Sequence, residues 1–490
     1  MRALLLAMLL GTAAAAQNIQ LTGTITAADH QSYQTHAFDV PPGVTRVDVT
    51  FTRTPEAGIT IDLGMLEDGR PRGWSGSNKQ RFSIGLAEAT PSYTPGPVAG
   101  RRMALALGIP NARSGSTASW TATIGFSRDP ATPPPPPPVV NPAPSAPGWL
   151  RGELHAHSTH SDGARPIEAS LQAARAAGLD FISLTEHNTV SQLQALAHLQ
   201  PEYPSLILLP GQEITTFNGH ANLFGSTTPA PFMARDWPQT LPPGLLSINH
   251  PALPSGEICM GCGWTQPIPE RATLVEAVNG SAIAAAGGLV ETPISALPWW
   301  DAQLATGKRL IAIGGSDNHD ASLAPPDPRA IGHVTTIVWA EARTPAALLK
   351  GLEAGHAFIQ IGGPARMLDM TAGAAPMGST ASPGTPLRIT VTDCNGCNAE
   401  LIHQAKVIAT LPITDGPLNF TPPENLTGPI RAHIRDSRGQ LTLIGNPIWY
   451  HLPSRLRGGT GAKRQGGGPA PARKGPTASR PAPAADQSHP

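Results

Sequence analysis

Residues 150–163 read LRGELHAHSTHSDG, a short extended stretch that ends in two imidazoles, His155 and His157, followed by Asp162 in a glycine-bearing turn. Alternate side chains of an extended chain share a face, so His155 and His157 project to the same side. Two imidazoles so placed can grip one metal ion from a strand end. One His-x-His pair arises easily by chance, so its weight depends on what the rest of the chain brings to the same place.

Outward from this strand the rhythm is strand, then helix. Pro166–Ala177 has helical apolar spacing, with Pro166 near its start and Gly178 just past its end. Strand DFISLT follows, then a helix through Leu193–Leu199, then strand SLILLP. Further strands are ANLFG, LLSINH, LVEAVN, RLIAIGG and VTTIVWA, with a helix at Pro345–Ala354. Repeating β-α units predict a barrel of parallel strands. The second strand ends in Glu186-His187 and the third runs into Glu213. His220 begins the next strand, His250 ends LLSINH, and Asp317 and His319 follow RLIAIGG. In such barrels the strand C-termini converge on the catalytic face. Six His and three carboxylates gathered there without a cation would be strongly destabilising, which favours a metal site. Imidazole-rich sites suit Zn, Mn or Fe.

These residues resemble the PHP (polymerase and histidinol phosphatase) family. HAHSTHSDG, TEHNT, GQE, NHP and SDNH match its motifs in order, and the resemblance spans roughly residues 150–365. It implies a distorted seven-stranded (β/α) barrel with two to three divalent ions, and a phosphatase, exonuclease, or carbamate or ester hydrolase activity. Carried over, His155, His157 and Asp317 hold one ion. Asp162 and His187 hold a second, with Glu213 bridging the two. His220, His250 and His319 form a third, all-histidine site. Catalysis is then expected at Asp162, His187 and Glu213. Glu186 stands where the family usually has Asp, and is expected to support the ligands rather than join them. Three divalent ions against three carboxylates leave a net positive cluster, which suits a phosphate ester hydrolysed by water activated on the ions. The same site suits a neutral carbamate or carboxylic ester.

The chain has 490 residues, with 51 Gly, 54 Pro and only 14% charged residues, where about 25% is usual. That length and composition fit several folded units joined by linkers. MRALLLAMLLGTAAAAQ has the layout of a secretory signal cleaved after Ala16, so a secreted or periplasmic protein is expected. Residues 17–128 hold short alternating stretches between turns and predict a β-sandwich, an accessory module for glycans or for docking on the next domain. A Pro-rich linker, 129–148, separates it from the barrel at 149–364, and a small C-terminal β-domain is expected at 365–452. Lys and Arg balance Asp and Glu at 34 each, but seven basic residues against Asp486 give the tail 453–490 a charge of +6. Such a segment is expected to be disordered and able to contact anionic surfaces. The rest of the chain is acidic, which argues against tight nucleic-acid binding without excluding an exonuclease-like activity. No transmembrane segment is expected. Cys259, Cys262, Cys394 and Cys397 suit two local disulfides, or one zinc knuckle from both pairs. The leading expectation is a hydrolase of small phosphate esters. The competing one from another class, a non-catalytic envelope-binding protein, would normally have lost ligands.

Overall fold

The computed structural model describes residues 18–54, 58–137, 145–234, 237–256 and 259–451. The expected signal segment, residues 138–144 of the linker and the basic tail from Pro453 lie outside the described residues. Everything described belongs to one compact unit.

The N-terminal part is two antiparallel sheets. One runs in the order β1 (Ile19–Thr26), β8 (Thr117–Ser127), β3 (Arg46–Arg53), β6 (Arg81–Gly85). The other runs β2 (Ser32–Asp39), β7 (Arg102–Ala112), β4 (Ile59–Glu67), β5 (Arg70–Gly76). Period-2 alternation turns Val47, Val49 and Phe51 of one sheet and Ile61, Leu63 and Met65 of the other into a shared core with Trp120.

A closed seven-stranded (β/α) barrel does not form; its strands are divided between two sheets. In the first, β9 (Gly148–Ala156), β10 (Phe181–Leu184) and β11 (Ile207–Leu208) are parallel. On the other side of β9 lie β17 (Val334–Ala340) and then β18 (Ala357–Ile361), both antiparallel to their neighbours. That sheet continues through Leu441–Gly445, Gly428–Arg435, Asn398–His403 and Lys406–Pro412, while Met367–Ala372, Ala375–Pro376, Leu387–Thr392 and Leu418–Phe420 form a separate sheet. The second sheet is β12 (Gly211–Thr216), β13 (Gly219–Phe224), β14 (Leu245–Ile248), β15 (Ala272–Asn279) and β16 (Ile311–Gly315).

Two physical causes separate this from a β/α barrel. The first is local. Thr216 pairs with Gly219, so only Phe217 and Asn218 turn the chain between β12 and β13, and Gly219 takes φ +154°. A two-residue turn forces antiparallel pairing and leaves no helix between the strands. The second cause lies at the seams between the sheets. Thr336 Oγ1 donates to Gly314 O and accepts from Gly314 N, both at 2.8 Å, where β16 meets β17. Asn446 accepts from Ala312 N at 2.7 Å and donates to Ala312 O and Ala357 O. Gln192 Nε2 donates to Leu184 O and Gly211 O at the other seam. Buried side chains thus satisfy backbone groups that a continuous ladder would have paired. Single bridges, Ala156 to Asn318 and His187 to Glu213, also span the seams, and both lie beside candidate ligands.

The N-terminal sheets share core with the rest. Trp74 packs edge-on against Phe232 (centroids 4.8 Å apart), and Tyr33 stacks on Phe217 at 4.6 Å. Among the described residues no helix is long and apolar enough to cross a membrane.

Candidate metal centre

All nine sequence-derived candidates gather at one end of the two sheets. β9 delivers His155, with His157 just beyond it, and their ring centroids are 5.2 Å apart. Gly315 lets β16 come close, because a Cβ there would meet His155 Cβ at 2.7 Å and Glu276 Oε1 at 3.0 Å. The turn after β16 supplies Asp317 and His319. Asp317 (φ +52°) and His250 (φ +28°) hold left-handed backbone conformations that non-glycine residues rarely adopt, and such strain concentrates at functional sites.

Glu213 is the hub. Its Oε1 lies 3.4 Å from His155 Nε2, 3.4 Å from His220 Nδ1 and 3.5 Å from His250 Nε2, while Oε2 is 2.8 Å from His187 Nδ1. Asp317 Oδ1 stands 3.4 Å from His155 Nε2 and 3.3 Å from His157 Nε2. Asp162 Oδ1 lies 3.6 Å from His187 Nε2 and 3.4 Å from His319 Nε2. The ligand atoms form overlapping groups, each within 4.8 Å: His157, Asp162, His187 and His319; His155, His157 and Glu213; His155, His250 and Asp317; Glu213, His220 and His250. These groups can hold metal ions. The partition differs from the one the resemblance implies at His319, which joins Asp162 and His187 rather than His220 and His250, and at His250, which replaces His157 beside His155 and Asp317. Glu213, not a third imidazole, completes the His220–His250 pair.

The outer ring nitrogens decide which atoms face inward. His220 Nε2–H donates to Met260 O (3.1 Å), His250 Nδ1–H to Cys262 O (3.2 Å) and His319 Nδ1–H to Asp317 O (3.0 Å). His155 Nδ1–H donates to Glu276 Oε1 at 3.0 Å. A carbonyl only accepts, so in the neutral ring the other nitrogen carries a lone pair. Those bare nitrogens point at carboxylate oxygens, which are also acceptors. His155 Nε2, His157 Nε2 and His220 Nδ1 are buried and make no hydrogen bond. Acceptor facing acceptor at 3.3–3.7 Å is repulsive unless positive charge sits between them. A cation fits this donor set.

The electrostatics express the same demand. Where no cation lies between rings and carboxylates, protons take its place: burial opposes charge on His187 and His319, yet Asp162 and its neighbours outweigh it and raise their pKa values to about 9 and about 10. Burial likewise opposes ionisation of Glu213, but the charges of His187 and His155 hold it well below the usual carboxylate range. His157 goes the other way, lowered to about 3 by burial and by the charges of His319 and His187.

Two residues that matter, Glu276 and Asn249, escaped the sequence reading. Glu276 of β15 orients His155 and also accepts from the His250 backbone N–H at 3.1 Å. Its signal was a lone carboxylate inside the apolar run Leu274–Val278. Asn249 Nδ2 donates to Glu213 Oε1 at 2.8 Å. Glu186 accepts from Ser158 N–H and from the hydroxyls of Ser158 and Ser161, bracing the turn that carries Asp162. Burial pushes its pKa up to about 7. Cys259 pairs with Cys262 and Cys394 with Cys397. The first disulfide closes the loop whose carbonyls hold His220 and His250.

The cluster opens into a cavity of about 590 Å³, and the N-terminal sheets form part of its wall through Tyr33, Asp62, Trp74 and Asn78. Burial pushes the Asp62 carboxyl up to about 7. Lys79 Nζ donates to Ser92 Oγ (2.9 Å), Thr159 O (3.1 Å) and Ser161 O (3.3 Å), tying those sheets to the loop between His157 and Asp162. The N-terminal part, read from sequence as an accessory module, therefore shapes the site.

No family model matches the chain, and no curated protein is similar to it. Among solved structures it is similar to a two-domain protein from Bacteroides vulgatus containing a predicted PHP-like metal-dependent phosphoesterase. The likeness has 18% identity, covers 65% of this chain and 100% of that one, and has a TM-score of 0.33. A match so loose carries no argument about chemistry, which rests on the side chains themselves.

Proposed function

We propose that this chain is a secreted metal-dependent hydrolase of small phosphate esters. One observation carries the reading: bare imidazole nitrogens of His155, His157 and His220, each oriented or enclosed by burial, converge on the carboxylates of Glu213 and Asp317. His157, Asp162, His187 and His319 would hold one ion; His155, His250 and Asp317 would hold another. Glu213 reaches both groups and would complete a third position with His220 and His250. When bound, divalent ions of the Zn, Mn or Fe type supply an activated water and a positive clamp for phosphoryl oxygens. In the hydrolysis the water oxygen joins phosphorus, the ester P–O bond breaks, and a proton leaves with the alcohol. The chain's own part is positional. Glu276, Met260 O, Cys262 O and Asp317 O fix the ring orientations, Glu186 holds the Asp162 turn, and the N-terminal wall narrows the mouth. Secretion, proposed from residues 1–16, fits the paired cysteines.

The test is elemental analysis of the purified protein together with turnover of p-nitrophenyl phosphate and p-nitrophenyl acetate in added Mn or Zn. Two to three ions per chain with phosphate turnover support the reading, and His157→Ala should lose both metal and turnover. Acetate turnover alone would transfer the site to carboxylic esters. A metal-free, inactive protein would sink the hydrolase reading.

A further inference from the structure

The cavity has two unlike halves. One is the ligand cluster. The other is walled by Tyr33, Asp62, Trp74 and Asn78 of the N-terminal sheets, with Phe217 and Asn111 beside them. Among the described residues that line it, none is Lys or Arg. Asp62 is the carboxylate of that far wall, and the charges that act on it are those of His187 and Asp162 across the cavity. Among the described residues that line the cavity no Lys or Arg is therefore present to pair with it.

We propose that Asp62 is a specificity-determining residue that receives an ammonium group on the leaving-group side of the substrate, so that the site favours phosphate esters of short amino alcohols. The inference rests on the phosphoester reading above and adds the nature of the leaving group. Once ionised, the carboxyl only accepts hydrogen bonds, and an alkylammonium supplies both the donors and the positive charge that favours ionisation at this buried position. Tyr33, stacked on Phe217 and 6.2 Å from Trp74, adds aromatic surface of the kind that attracts ammonium groups. A second phosphate on the leaving group would instead meet Asp62 with like charge and no basic residue to neutralise it. The wall therefore selects against polyanions, nucleic acid included. A volume of about 590 Å³ suits a small ligand.

The experiment uses the metal-loaded full chain and its Asp62→Asn variant. Calorimetry compares 2-aminoethylphosphonate with propylphosphonate, which has the same length without the charge, and turnover compares the two corresponding phosphate esters. Wild type should prefer the amine by about tenfold or more in affinity and in kcat/KM. In Asp62→Asn that ratio should collapse toward one. Equal treatment of the two ligands by wild type, or an undiminished preference in Asp62→Asn, overturns the assignment while leaving the hydrolase reading intact. Binding and hydrolysis of neither ligand by a metal-loaded chain overturns the phosphoester reading, and the Asp62 assignment with it.

Discussion

Glu276 holds two histidines at once, accepting from the His155 ring and from the His250 backbone N–H. It touches no ion in the proposed scheme, yet it decides which His155 nitrogen faces inward. Such outer partners typically change metal affinity by about 10- to 100-fold. Glu276→Gln should therefore weaken metal retention by about that factor, read by competition with a chelator, while circular dichroism stays unchanged. Far from the cluster, His433 Nε2 accepts an N–H from Arg431 at 3.1 Å, which only the neutral ring can do. Burial and the charges of Arg431 and Arg435 hold its pKa well below the ordinary value. A depressed folded-state pKa means the unfolded chain takes up the proton first. Stability from this group is complete above about pH 6.5 and is lost as pH falls toward the folded value, at up to about 1.4 kcal/mol per pH unit. His433→Gln keeps an acceptor and removes the titration, so its denaturation midpoint should fall less steeply than wild type below pH 6.5. The nine candidates were legible because strand ends are marked by His, Asp and Glu after apolar runs. Glu276 and Asn249 were not, since their roles depend on which strand lies next to which, and sequence spacing does not carry that.

The loop closed by Cys259 and Cys262 acts as a unit. Met260 O and Cys262 O point their lone pairs at His220 and His250, and Gln31 Nε2 reaches Met260 Sδ at 3.1 Å from the N-terminal sheets. Opening the loop frees two carbonyls together, so both rings lose their orientation in one step. Replacing both cysteines with Ser should lower the metal content by about one to two ions per chain, since His250 serves two of the groups, and spare the group at Asp162, His187 and His319. Elemental analysis against wild type checks this, and an unchanged stoichiometry would show that the loop plays no positioning role. At this scale the sequence reading was half right for a physical reason. Helices Ile167–Ala176 and Pro345–Ala354 lie where their apolar spacing and end signals put them. The parallel barrel failed because apolar runs report burial and not strand direction. Asn218-Gly219 was the available sign of a tight antiparallel turn. The seam-filling side chains of Thr336, Asn446 and Gln192 gave no pattern at all, because each acts alone on backbone groups distant in sequence.

Across the whole molecule, the N-terminal sheets and the ligand-bearing sheets share a single wall and part of a core. Trp74 and Ala106 lie in the same buried cluster as Phe232, Trp264 and Leu223, and Thr189 Oγ1 donates to Ser92 O at 2.8 Å across the junction. A chain beginning at Gly148 would uncover Phe232, now 1% exposed, and the stacked face of Phe217. Exposing a buried aromatic costs roughly 1.5–3 kcal/mol. Losing the Lys79 and Ser92 hydrogen bonds adds to this and releases the loop between His157 and Asp162. The shortened protein should therefore melt roughly 5 °C or more below the full chain, bind a hydrophobic dye, and retain metal less well. Its ligands would all be present, so a loss of metal would report the support of the N-terminal sheets rather than a missing side chain. If the shortened protein matched the full chain in melting temperature and metal content, those sheets would be a cover on the site and not part of its scaffold.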